Sequence, residues 1–202
     1  MLERIPRRER IDLVIAWLAI AIAFTLIFVR GGTTPDMLVY YFALSLFTVG
    51  IGFVFHELAH KFVAMRFGYW AEFRKDNQML LVAVVLAALA GVVFAAPGAT
   101  VIYGDRIGRR ENGIIAAAGP GISIALALGF LVVFLVTPVA TFPWLLGLFG
   151  MRINAMIAAF NMLPVSVLDG KKVLGWNVGV FVVLIATAFA LVYLTYVLPG
   201  AF

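Results

Sequence analysis

The chain has 202 residues, of which 64% are hydrophobic and only 12% charged, with a net charge of +5 and a mean hydropathy of +1.10. So little polar surface excludes a soluble globule and leaves an all-α polytopic membrane protein. The absence of cysteine excludes disulfides and cysteine-held zinc. The basic residues gather between apolar stretches, which fits membrane topology and not nucleic-acid binding.

Residues 1–11 carry Arg4, Arg7, Arg8 and Arg10, and the positive-inside bias puts them in the cytoplasm. A first span is predicted over 12–29. The basic run before it resembles a signal peptide. The apolar stretch runs into the polar turn from Arg30 to Asp36 without a small-residue cleavage site, so it reads as a retained anchor.

The second span, about Met37 to Phe67, contains His56-Glu57-Leu58-Ala59-His60, with both histidines of the chain. On a helix, positions i and i+4 share a face, so both imidazoles reach one metal ion. Glu57 stands where a metalloprotease carries its general base. The same five residues in a soluble protein would often be a solvated helix face. Here each charged group in a span costs about 2.5–3.5 kcal/mol, so function is the better explanation. His56 precedes Arg66 by about 15 Å of helix, which puts the metal below the cytoplasmic surface.

Met79 to Ala96 is apolar and long enough to cross. A full crossing would leave Arg106, Arg109 and Arg110 outside, against the charge bias. A re-entrant hairpin is therefore preferred: a helix rises, breaks at Pro97-Gly98, and an extended segment returns. The β-branched and aromatic Thr100-Val101-Ile102-Tyr103 suits a strand, whose edge could receive a substrate strand. Gly98, Ala99, Thr100, Val101, Ile102 and Tyr103 are thus the candidate substrate-binding residues.

The next span, about Gly113 to Val136, opens with Ala116-Ala117-Ala118-Gly119-Pro120-Gly121. Ala125 and Gly129 continue the small residues at four-residue spacing from Gly121, which reads as a helix-packing face and not as chemistry. A further span, about Trp144 to Leu163, carries Arg152, Asn154 and Asn161. After Pro164, a broken helix is expected to carry Asp169 inward before Lys171 and Lys172. The last span is predicted over 173–198. The total is five crossings plus a re-entrant helix-strand hairpin, or six crossings, in a single domain over 1–202. Its catalytic core is expected at about 37–172.

Two histidines leave a tetrahedral zinc one protein ligand short, with the fourth position open for water. The acids after the motif are Glu72, Asp76, Asp105, Glu111 and Asp169. The first four lie in basic, loop-like sequence. Asp169 is favoured by its expected depth; the alternative is a turn aspartate paired with Lys171 or Lys172.

These motifs resemble the site-2 protease family of intramembrane zinc metalloproteases. The resemblance rests on His56-Glu57-Leu58-Ala59-His60, on Ala118-Gly119-Pro120, and on Asn161-Met162-Leu163-Pro164 followed by Leu168-Asp169-Gly170. It covers roughly residues 50–172. It implies one zinc ion held by His56, His60 and Asp169, with Glu57 as the base. It also implies that Asn161 holds the substrate or polarises its carbonyl; the plainer role for Asn161 is an inter-helix hydrogen bond. The stretch between the second and third core helices is longer and more apolar than in simpler members, and the family's substrate-docking hairpin is placed on Gly98 to Gly104. The expected partners are a transmembrane protein substrate and the lipid bilayer, with no nucleic acid. The expected location is the cell membrane, with the N-terminus and the active-site opening cytoplasmic. The competing readings are a membrane metal-ion transporter and a non-catalytic module that binds other spans.

Overall fold

The computed structural model describes residues 4–32, 34–93, 97–104 and 106–198. Among the described residues, five helices are long and apolar enough to cross a bilayer. They are α1 (Arg7–Phe28), α2 (Pro35–Arg66), α4 (Arg109–Val136), α5 (Phe142–Asn161) and α7 (Val178–Val197). Between them lie β1 (Trp70–Lys75), α3 (Asn77–Ala90), β2 (Gly98–Tyr103) and α6 (Asp169–Trp176). The protein is a polytopic helical membrane protein, with one small strand pair among the described residues. Helix α2 is continuous apart from one wide π-type turn at Leu46–Gly50.

The apolar stretch after β1 forms a hairpin. Asp76 starts α3 by accepting from the backbone N–H groups of Gln78 and Met79 at 2.9 and 3.1 Å. Helix α3 has 14 residues, about 21 Å, short of the roughly 30 Å of a hydrocarbon core. It stops at Ala90 and not at Ala96, because Gly91 takes a left-handed φ of 72°. Arg30, from the far end of α1, donates through Nη2 to the Leu89 carbonyl at 2.9 Å and closes the α3 terminus. Residues 94–96 lie outside the described residues, as do Asp105 and the end of the chain at Pro199-Gly200.

The returning segment is β2, and it is not unpaired. It lies antiparallel to β1 in the register Trp70↔Tyr103 through Lys75↔Gly98. Strand β1 was expected to be loop. Ala71 and Phe73 face inward while Trp70 is exposed. Gly98 permits the close pairing: its φ is 153°, and a Cβ there would lie 2.4 Å from the Arg74 carbonyl oxygen.

Two further expectations are corrected. The small-residue face of α4 is Ala116, Gly119, Pro120, Ser123 and Ala127, all buried. Gly121 and Gly129 meet nothing within 4 Å, and Ala125 is exposed. The buried stripe is two residues out of step with the one starting at Gly121. The last apolar stretch is also two helices. Asn177 breaks it: its N–H donates to the Val173 carbonyl at 2.8 Å, and its side chain accepts from Val180 N at 3.0 Å to start α7.

Helices α4 and α5 pack closely. A Cβ on Gly147 would lie 2.4 Å from the Phe134 backbone nitrogen, and one on Gly150 would lie 2.4 Å from the Phe130 ring. Ala127, Ala155, Ala158, Ala159 and Ala188 extend this contact to α7.

Candidate metal centre

His56 and His60 lie one turn apart on the buried face of α2, and both rings turn Nε2 toward Asp169 at the start of α6. Asp169 Oδ2 is 3.4 Å from His56 Nε2 and 3.1 Å from His60 Nε2. Ligand atoms of all three lie within 4.8 Å of one another. Helix α6 holds Asp169 there because its first turn abuts the end of α5. A Cβ on Gly170 would lie 2.1 Å from the Met162 carbonyl oxygen. Burial pushes the Asp169 carboxyl up, but hydrogen bonds and charge from His56 and His60 hold it well below the usual carboxylate range. Lys172 Nζ stands 3.6 Å from Asp169 Oδ1, so the lysine-paired aspartate considered from sequence is present, and Oδ2 still faces the two histidines.

The other ring nitrogens are engaged by α4. His60 Nδ1 is 2.8 Å from the Ile115 carbonyl oxygen, and His56 Nδ1 is 3.0 Å from Ser123 Oγ. A carbonyl only accepts, so His60 Nδ1 carries a hydrogen, and Nε2 is the nitrogen left to face a metal ion. Such partners orient metal-binding imidazoles.

These donors fit a zinc ion. Zn–N and Zn–O bonds of about 2.0–2.2 Å at tetrahedral angles give donor separations of about 3.3 Å, close to the two distances above. Gly119 leaves the room: a Cβ there would lie 2.3 Å from His60 Nε2 and 2.6 Å from His56 Nε2. From sequence Gly119 reads as a packing residue only; here it opens space at the site.

Glu57 is buried beside this cluster at 9% exposure. Its Oε2 accepts from Thr100 N at 2.8 Å and from Thr100 Oγ1 at 2.9 Å. Of the candidate substrate residues, Thr100 is therefore turned onto Glu57. Ala99, Val101 and Tyr103 are exposed, whereas Gly98, Thr100 and Ile102 are half-buried. Ile102 packs against Ala64, Ala71 and Ile115. Asn161, the last residue of α5, donates through Nδ2 to the Ile157 carbonyl at 2.9 Å. Its bond stays on its own helix, so it is not the inter-helix bond considered from sequence.

A second buried charge pair lies next to the motif. Lys61 Nζ donates to Glu9 Oε2 and to the Ala71 carbonyl, each at 2.7 Å. Glu9 Oε1 accepts from Phe73 N at 3.0 Å. Both side chains are fully buried. Helix α1 is thus more than an anchor, and Lys61 does not lie at the aqueous surface. Nothing in the sequence marks Glu9, set between Arg8 and Arg10, as the partner of Lys61. Ser123, a hydroxyl four residues after Gly119, was the signal for the histidine partner.

A protein of Methanocaldococcus jannaschii named "Putative zinc metalloprotease" is 42% identical over 174 residues, which is 86% of this chain and 87% of its own length. No family model matches the chain, and no solved structure matches it.

Proposed function

The chain belongs to the zinc metalloprotease family of that archaeal relative, and we propose that it is an intramembrane protease of the site-2 type, cleaving a peptide bond within or near a transmembrane segment of a membrane-protein substrate. Most weight is carried by the convergence of His56 Nε2, His60 Nε2 and Asp169 Oδ2 beside Glu57, in a chain with five helices apolar enough to cross a bilayer.

Bound by these three residues, zinc supplies a Lewis acid that acidifies water and polarises a peptide carbonyl. Ile115 and Ser123 hold the two rings so that Nε2 of each faces inward. Glu57 takes a proton from the attacking water and returns it to the leaving amine. Asn161 lies near the end of α5, and its amide donates to the developing oxyanion once it turns from the Ile157 carbonyl. A transmembrane helix hides its carbonyls in i to i−4 bonds and must unwind before attack. The free edge of β2, Gly98 to Tyr103, pairs with the unwound segment. Strand β1 and Lys61 meet Glu9, which sits between Arg8 and Arg10, and Lys172 stands by Asp169 against His60, next to Lys61, so these basic groups share one end of the molecule. The positive-inside bias supports a cytoplasmic setting for that end, and the protein is taken to lie in a cell membrane.

The test is reconstitution with a single-span substrate in proteoliposomes. Wild-type protein is expected to cleave it in a zinc-dependent manner, and Glu57→Gln to keep zinc and lose cleavage. Zinc-loaded wild-type protein that cuts soluble peptides but leaves membrane-embedded substrates intact would refute the intramembrane reading.

A further inference from the structure

Thr100 sits on the strand assigned above to substrate, yet each of its polar hydrogens is turned on Glu57. Its N–H lies 2.8 Å from Glu57 Oε2. Its hydroxyl lies 2.9 Å from the same Oε2 and 3.0 Å from the Glu57 carbonyl oxygen. The hydroxyl has one proton and serves these two acceptors by turns.

The strand register explains how this arises. Thr100 is opposite Phe73, and the Phe73 N–H also leaves the sheet, to Glu9 Oε1. In an antiparallel ladder, opposed residues either exchange both of their bonds or neither. Thr100 and Phe73 are a pair of the second kind. The Thr100 N–H therefore points off the free edge of β2, toward α2. Gly98, by allowing β2 to lie so close to β1, fixes where that N–H arrives. A glutamate side chain has three freely rotating bonds, and two donors from a strand hold its far end where one would let it swing. Both donors fall on Oε2, which leaves Oε1 to receive a proton.

We propose that Thr100 is the positioning residue for the general base. Its N–H and hydroxyl hold Oε2 of Glu57 so that Oε1 faces the reacting water. The proposal rests on the proteolytic role of Glu57 stated above. Pairing of a substrate backbone with β2 then falls to Gly98 and Ile102, which by the same alternation face the outer edge, while the Thr100 N–H is committed to the enzyme.

The experiment is steady-state cleavage of a single-span substrate in proteoliposomes. It uses the full-length zinc-loaded protein as wild type, Thr100→Val, Thr100→Ser and Glu57→Gln. Zinc content and thermal melting are measured on each. Valine keeps the branched shape and the strand N–H but removes the hydroxyl. Thr100→Val is expected to lower kcat by about 10–100-fold with KM, zinc content and melting unchanged, and Thr100→Ser to stay near wild type. Wild-type kcat in Thr100→Val, with Glu57→Gln inactive, overturns the role of Thr100 and leaves the protease reading standing. Activity in Glu57→Gln removes the base, and Thr100 with it. A loss confined to KM makes Thr100 a substrate contact, and a loss shared by Thr100→Ser, or one that follows zinc or melting, makes it structural; either overturns the proposal.

Discussion

The Glu9–Lys61 pair gives the sharpest stability test, because both side chains are fully buried and all their strong bonds are known. Lys61 donates to Glu9 and to the Ala71 carbonyl, while Glu9 also accepts from Phe73 N. The Trp70 ring lies 5.2 Å from Lys61 Nζ. Glu9→Gln keeps an acceptor for Phe73 but leaves the ammonium without its carboxylate. Removing one partner of a buried pair costs about 3–5 kcal/mol, or roughly 6–20 °C in melting temperature at this chain length. Glu9→Ala also strands the Phe73 N–H, which adds about 1–3 kcal/mol. The double change Glu9→Leu with Lys61→Met removes both charges and should recover the unpaired-charge part of the loss, while the Phe73 N–H and the Ala71 carbonyl stay without these partners. Thermal unfolding of detergent-purified protein measures all three. A Glu9→Gln protein as stable as wild type would mean that water reaches the pair, and the buried-charge reasoning would be wrong. Since the pair ties α1 and β1 to α2, the folded single variants should also cleave more slowly, through loss of the β2 contact to Glu57.

Gly119→Ala should leave the fold intact and lower zinc occupancy sharply, because its Cβ would occupy space 2.3 Å from His60 Nε2; metal analysis beside a melting curve checks this. Ser123→Ala should weaken zinc binding by about 10–100-fold, read by competition with a chelator. Asp169→Ala and His56→Ala should each lose the roughly one zinc per chain of the wild type. Zinc retained in Asp169→Ala would take Asp169 out of the ligand set.

How much of this was legible depended on how local the signal was. The two histidines and Glu57 sit within five residues, so helical periodicity alone puts both rings on one face. The hairpin followed from the charges after it and from Pro97-Gly98. Strand β1 was hidden because Glu72 and Arg74 occupy its outer positions and Lys75 ends it, which makes Trp70–Lys75 look like loop; only a partner strand reveals Ala71 and Phe73 as a buried row. The break at Asn177 was hidden in an apolar run, where one asparagine does not declare itself a helix cap. Glu9 and Lys61 lie 52 residues apart. Charges near span ends default to solvated ones, so nothing local marks them as a pair. The small residues of α4 were visible, but which stripe of them is buried depends on the neighbouring helix.

That neighbour is α2, and its relation to α4 accounts for the geometry of the centre. Ile115, Gly119 and Ser123 are spaced by four along one face of α4. Ile115 serves His60 and Ser123 serves His56, so the lower number on one helix meets the higher on the other, and the two helices run antiparallel. Gly119 falls midway and stands against both rings. The outer two positions orient the two rings, and the middle one leaves space for the ion. Any residue larger than glycine in the middle would spoil what the other two prepare. A one-residue rotation of α4 would lose all three functions together, so the close α4–α5 contact at Gly147 and Gly150 helps set the metal centre from a distance. Substitution of Gly147 by alanine should therefore lower zinc affinity although it touches no ligand, and unchanged zinc affinity in that variant would uncouple the α4–α5 packing from the site.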